Sequence, residues 1–167
     1  ARPLTERGMT FAALEQGGWG GSSGYPGSKM GAIALLRQTL DEARWHARNR
    51  AMFADDPNGL EPPEQSDALD ALEDAINGRQ LMVFDASDEL DALRFARVAE
   101  EFELQGVLLG SGMEFRRTDE VAATGFPVIT PLNFPKAPDV KDPYAADRVT
   151  LRELQTWKHA PSNPRRL

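Results

Sequence analysis

The apolar positions of the chain change their period as it is read from the N-terminus. From Ser28 to about Phe53, Ile33, Leu36, Leu40, Ala43 and Ala47 recur at spacings of three and four, which predicts one long amphipathic helix. Ser28 is its expected N-cap, and Asp55-Asp56-Pro57-Asn58-Gly59 its stop. A second helix is expected from Ser66, with Leu69, Leu72 and Ile76 inward and Gly78 closing it.

The rhythm then becomes strand, helix, strand. Gln80-Leu81-Met82-Val83-Phe84 is a short apolar run of the kind a buried strand needs. Ser87 is the expected cap of the next helix, with Ala92, Phe95, Ala96, Ala99 and Phe102 inward and Asp91, Arg94, Arg97 and Glu101 on its wet face. Gly106 is read as its end. Val107-Leu108-Leu109 follows as a strand, Thr118 to about Ala123 as a helix closed by Gly125, and Pro127-Val128-Ile129 as a third strand. Strands recurring every ~22 residues with a helix between each pair predict right-handed βαβ units and a parallel sheet.

The two ends read differently. Residues 1–28 hold Gly17, Gly18, Gly20, Gly21, Gly24 and Gly27 around Trp19 and Tyr25, and are expected to form an irregular loop. That loop is either plain surface or a substrate loop at a barrel mouth. Residues 29–132 carry the βα units and residues 133–167 a Pro- and charge-rich connection with a C-terminal helix, all as one domain. Thr150-Leu151-Arg152-Glu153 matches a capping box, and Asn163-Pro164 reads as a helix start. With no helix body behind it, that start is either the mark of a segment of a longer chain or a frayed tail.

Composition narrows the chemistry. The 167 residues carry 26 Asp and Glu against 19 Lys and Arg, a net charge of −7 that argues against nucleic acid as the main partner. No apolar run approaches the ~18 residues that cross a bilayer, so no membrane partner is expected. With no Cys, thiol nucleophiles and zinc–thiolate sites are excluded, and two His make a polyhistidine metal site unexpected. The lack of Cys does not separate a bacterial cytoplasm from a periplasm. A phosphate-binding P-loop is rejected, since Gly27-Ser28-Lys29 lacks the upstream glycine and the residue order of that motif.

Several segments, in order, resemble one family. Tyr25-Pro26-Gly27-Ser28-Lys29-Met30-Gly31 followed by Ala34-Leu35-Leu36-Arg37-Gln38-Thr39-Leu40 is similar to a stretch of imidazolonepropionase-like amidohydrolases. Asp88 to Arg94 with Glu100-Glu101-Phe102 resembles the helix after that family's fifth barrel strand. Gly110-Ser111-Gly112-Met113-Glu114 resembles the end of the sixth, Phe126-Pro127-Val128-Ile129 the seventh, and Trp157 with Ala160 to Pro164 the segment before the last strand. The resemblance implies an α/β fold, part of a (β/α)8 TIM-barrel-like parallel sheet with outer helices. It implies a parent that hydrolyses amide or cyclic amide bonds with a metal-activated water. The chain would be an internal fragment of that barrel, without the first and last strands.

The departures from the family bear on chemistry. The family's ligands are a His-x-His on the first strand, a Lys or Glu on the fourth, His residues after the fifth and sixth, and an Asp on the eighth. Here the fifth strand end reads Met82-Val83-Phe84-Asp85 and the sixth Ser111-Gly112-Met113-Glu114. Met and Phe are no ligands for a hard metal, and Ser is a poor one. No catalytic residue and no metal are therefore assigned to this segment, although the resemblance implies a zinc-type divalent metal for a full-length parent. Asp85, Ser111, Glu114 and Arg116 are the substrate-facing candidates. For the carboxylates the readings are substrate binding, one residual metal, or helix N-terminal charge and loop solvation. Arg116 with Arg117 is either a carboxylate clamp or a solvated pair. His46 is read as a surface or packing residue, and His159 as a favourable charge at a helix C-terminus. A small-molecule substrate and, because a partial barrel leaves sheet edges open, self-association are the expected partners. A metal-free barrel that binds a small molecule or oligopeptide is the alternative to a hydrolase.

Overall fold

The computed structural model describes residues 8–15 and 25–167. The element order is β1 (Thr10–Ala13), α1 (Lys29–Asp55), α2 (Asp67–Ile76), β2 (Met82–Asp85), α3 (Glu89–Glu101), β3 (Gly106–Leu109), a 3-10 turn (Glu114–Arg116), α4 (Thr118–Ala123), β4 (Val128–Ile129), α5 (Pro143–Ala146), α6 (Leu151–His159), a 3-10 turn (Ala160–Ser162) and α7 (Asn163–Arg166). The four strands form one parallel sheet in the order β1-β2-β3-β4, so each strand lies beside its neighbour in sequence. Leu108 and Leu109 of β3 pair with Val128 and Ile129 of β4. Between β2 and β3 the bonds Met82 N–H to Gln105 O (2.9 Å) and Ala86 N–H to Leu109 O (3.0 Å) advance together along both strands, as a parallel ladder requires. The expected α/β architecture with outer helices, and the adjacency of its three predicted strands, are what the structure has.

One strand was not expected. Thr10–Ala13 lies inside the segment read as an irregular loop. Its four residues carry little strand signal of their own. Long-range bonds hold them: Thr10 N–H donates to Leu81 O at 3.2 Å, and the Thr10 hydroxyl donates to Gln80 Oε1 at 3.1 Å. The glycines at 17, 18, 20, 21 and 24 and Trp19 lie outside the described residues.

The chain divides into two compact units, residues 1–83 with 97–106 and residues 84–96 with 107–167. In the first, α1 packs on α2. Ser28 caps α1 by accepting from Gly31 N–H, and Ser66 caps α2 by accepting from Leu69 N–H. Leu40, Ala43, Ala75, Met82, Val98, Ala99 and Phe102 are buried there. His46 is 3% exposed and its Nε2 lies 3.0 Å from Asp70 Oδ1, which ties α1 to α2, so His46 is a packing residue. Arg44 lies 4.7 Å over the Phe102 ring and donates to the Phe102 carbonyl at 2.6 Å, pinning the end of α3 by a cation–π contact and a hydrogen bond together.

The end of α3 corrects the reading of Gly106 as its stop. The helix ends at Glu101, and Glu103 takes the left-handed conformation at φ 54°. Leu104 N–H donates to Ala99 O at 2.8 Å and Glu103 N–H to Glu100 O at 3.3 Å, the paired bonds of a Schellman cap. Gly106 instead opens β3.

In the second unit Phe84, Phe95, Leu108 and Val121 are buried, and the Phe84 and Phe95 rings stack with centroids 4.9 Å apart. Such a pair contributes ~1 kcal/mol beyond the area it buries. The start of α3 departs from expectation in two ways. Asp88, not Ser87, is the cap: its Oδ1 accepts from Leu90 and Asp91 N–H at 3.0 and 2.8 Å. Asp91 is not on a wet face but 1% exposed, and it accepts from the Ser87 hydroxyl at 2.5 Å and from Arg94 Nη1 at 2.7 Å. A buried carboxylate is tolerated when its oxygens meet such donors. Thr118 is the first residue of α4 rather than its cap, and its hydroxyl donates to Glu114 O at 3.4 Å. The capping box at α6 is formed as expected, Thr150 Oγ1 accepting from Glu153 N–H and Glu153 accepting from Thr150 N–H at 2.7 Å.

Candidate functional site

Parallel sheets of this kind present their chemistry beyond the carboxyl ends of the strands. At the end of β3, Gly110 N–H donates to Ile129 O at 3.0 Å, extending the ladder one residue past the strand. Gly112 then takes φ +82°, a conformation costly for residues with a Cβ, and turns the chain into the 3-10 turn at Glu114. The turn directs the Glu114 side chain back over the loop that leads to it.

Glu114 is the centre of the arrangement and is 0% exposed. Its Oε1 accepts from Ser111 N–H at 2.6 Å, the Ser111 hydroxyl at 3.1 Å and Gly112 N–H at 3.3 Å. Its Oε2 accepts from the side-chain amide of Asn163 at 2.6 Å. Ser111 Oγ also accepts from Met113 N–H at 3.2 Å, closing the loop on itself. A Cβ on Gly110 would lie 2.8 Å from Glu114 Oε1 and 3.1 Å from Val128 Cγ1, so the carboxylate rests on a glycine that leaves room for it.

Of the four candidates read from the sequence, the structure brings Ser111 and Glu114 into direct contact. Arg116 stands on the same 3-10 turn but is directed at α6: its Nη2 donates to Arg152 O at 3.2 Å and to Thr156 Oγ1 at 3.0 Å. Asp85 is exposed at the end of β2 and hydrogen-bonds to none of the other three. Arg117 is exposed and pairs with Glu120 at 2.9 Å. His159 lies beside the Phe115 ring, centroids 5.4 Å apart, with Arg166 Nη2 3.3 Å from its Nδ1.

Sequence reasoning missed Asn163. Asn-Pro read as a helix start, yet Asn163 is the first residue of α7 and its side chain is fully buried against Glu114. An Asn before Pro carries no signal that its amide is spent on a residue 49 positions away.

The donor set does not fit the zinc-type metal that the family resemblance implies. Among the described residues, no group of three or more His, Cys, Asp and Glu is placed to hold a metal ion. Met82 and Phe84, one of which stands where the resemblance puts the family's fifth-strand His, are buried in the core. Both Glu114 oxygens are engaged by donors from the protein, and His46 is held by Asp70. Zinc hydrolysis needs about three protein ligands and one open position, and these residues do not converge on a common point.

No family model matches the chain, and no curated protein matches it. Among solved structures, its fold is similar to that of an amidohydrolase from Thermotoga maritima MSB8. The two superpose with a TM-score of 0.57 over 81% of this chain and 34% of that one, at 15% sequence identity. The fold is amidohydrolase-like. The chain spans about a third of the length of the amidohydrolase it matches, and at that identity the likeness is one of fold.

Proposed function

We propose that this chain supplies the consecutive βα units of an imidazolonepropionase-like barrel whose parent hydrolyses amide or cyclic amide bonds, and that on its own it frames a strand-end site without catalysing. The observation that carries the reading is the sheet order β1-β2-β3-β4, in which neighbours in sequence are neighbours in a parallel sheet, combined with the amidohydrolase-like fold. Barrels of this type place substrate at the carboxyl ends of such strands. In metal-dependent members the ion lowers the pKa of a bound water and polarises the scissile carbonyl. Within this chain, the Glu114 network fixes the loop after β3 that would wall the site, and Asp85 and Ser111 stand at strand ends toward substrate.

A metal-free binding barrel is the second reading. Met82 or Phe84 at the fifth-strand ligand position, and Ser111 donating to a buried carboxylate, favour it over a hydrolase with an intact centre. The test is a panel of N-acyl amino acids and cyclic amides incubated with the chain and zinc or manganese. No turnover above buffer is expected. Turnover abolished by Glu114→Gln would refute the framing role and make Glu114 catalytic. The same panel given to a protein extended by the flanking coding sequence separates the two readings: metal-dependent hydrolysis favours the first, and saturable binding without turnover the second.

A further inference from the structure

We propose that the second unit carries a binding crevice for a small organic carboxylate with an apolar body, between the Pro135–Asp139 segment and α6. The cavity there measures about 450 Å³, within the range of small-molecule sites. Pro135, Pro138, Val149 and Met113 supply its apolar walls, and Lys136 and Arg152 its cations.

The case rests on which charged groups already have partners. Both acidic residues at the crevice work locally: Asp139 Oδ1 accepts from Lys141 N–H at 3.1 Å, and Glu153 Oε2 accepts from Thr150 N–H and hydroxyl at 2.7 and 2.8 Å. The cations are different. Among the described residues neither Lys136 nor Arg152 forms an ion pair, in a chain with more acids than bases. Among those residues the Arg152 guanidinium reaches only the Met113 sulfur, at 3.7 Å. Behind the wall stands a third cation without an ion pair among the described residues, Arg116, which props the site: its Nη2 bonds the Arg152 carbonyl and Thr156 Oγ1, while its buried Nε has no partner among those residues. Arg116 therefore holds the turn that presents Arg152 and adds positive potential beneath it.

The ligand class follows from these features. A guanidinium and an ammonium facing one space suit an anion, and a guanidinium fork suits a carboxylate in particular. Inorganic phosphate is the poorer match. The nearby Lys141 and Thr150 amides are taken by Asp139 and Glu153, so they cannot join a backbone cradle, and four apolar walls would gain nothing from a hydrated ion. The inference concerns this crevice alone and does not depend on the hydrolase reading, because neither Glu114 nor Ser111 lines it.

The experiment titrates the ¹⁵N-labelled chain with N-acetyl-L-leucine, with its neutral primary amide and with inorganic phosphate, following amide shifts by NMR. Saturable shifts confined to residues 135–139 and α6 are expected with the carboxylate and not with the other two. Lys136→Gln and Arg152→Gln should each weaken binding about tenfold, the loss of one charge-assisted contact. Both side chains are exposed, so both variants should retain the wild-type spectrum away from the crevice. Absence of shifts with N-acetyl-L-leucine, equal binding of the amide or of phosphate, or affinity unchanged in both variants would each overturn the proposal.

Discussion

Removing the Glu114 carboxylate should cost the second unit far more than a loop residue ordinarily would. In Glu114→Ala four donors lose their acceptor: the Ser111 amide and hydroxyl, the Gly112 amide and the Asn163 side chain. Ser111 and Gly112 are half-exposed and can turn to water, at ~1 kcal/mol each, whereas the fully buried Asn163 amide cannot, at ~1–3 kcal/mol. With the cavity left by the missing atoms, the expected destabilisation is roughly 4–6 kcal/mol. Glu114→Gln should cost much less, ~1–2 kcal/mol. Its oxygen can keep the Ser111 and Gly112 bonds, and its new N–H can be met by Asn163 Oδ1, which is buried without a partner, if the Asn163 amide turns over. The assay is urea unfolding followed by circular dichroism and by fluorescence in a Trp19→Phe, Trp45→Phe background, where the signal of Trp157 reports on this unit. A double-mutant cycle with Asn163→Ala should show coupling of ~1–3 kcal/mol, because both single changes remove the same buried bond. An alanine variant within ~1 kcal/mol of wild type, or one indistinguishable from the glutamine variant, would refute the reasoning.

What the sequence made legible was whatever depends on local signals. The α1 and α2 caps, the Thr150 capping box, the inward face of α3 and the order of the three later strands all followed from periodicity and capping chemistry, which act over a few residues. Two of the misses share one cause, which is that a distant partner decided the outcome. Thr10–Ala13 is a strand because Leu81 and Gln80 offer bonds to it. Asp91 is a different case, buried because two side chains within one helical turn, Ser87 and Arg94, satisfy it. The Asn163 amide is withdrawn from solvent by a carboxylate 49 residues earlier in the chain. The candidate site was legible as a set of residues but not as a set of roles. Ser111, Glu114 and Arg116 were singled out, yet only the structure shows Glu114 turned inward as the lock of its loop and Arg116 turned aside to brace α6.

Two further outcomes follow from backbone geometry and from charge. Glu103→Gly should stabilise the chain by ~0.5–1 kcal/mol, since Glu103 holds φ 54° at a helix-end position where glycine carries no Cβ penalty; a lowered midpoint in urea would show that the side chain contributes more than the strain it imposes. The start of α6 should weaken in acid. The amide of Thr150, and then its hydroxyl, hold the Glu153 carboxyl below its ordinary value of 4.5, and the Arg117 guanidinium does the same for Glu120. A carboxyl depressed in the folded state contributes stability above the unfolded value and loses it as pH falls through the folded one, so the effect belongs below pH 4.5 and leaves neutral pH untouched. Carbon-detected NMR of the Glu153 carboxyl should place its midpoint under 4.5, with the protection of the Thr150 amide, relative to its intrinsic exchange rate at each pH, falling over the same interval. Glu153→Gln should remove that pH dependence of exchange while leaving the Thr150 hydroxyl cap on the Glu153 amide in place, because this cap uses only the backbone at position 153. If the Glu153 midpoint lay at or above 4.5, or if the Thr150 amide exchanged at the same rate in the variant and the wild type at neutral pH, the carboxyl would be solvated rather than bound to the helix start, and the reading of α6 as held by a reciprocal capping box would fail.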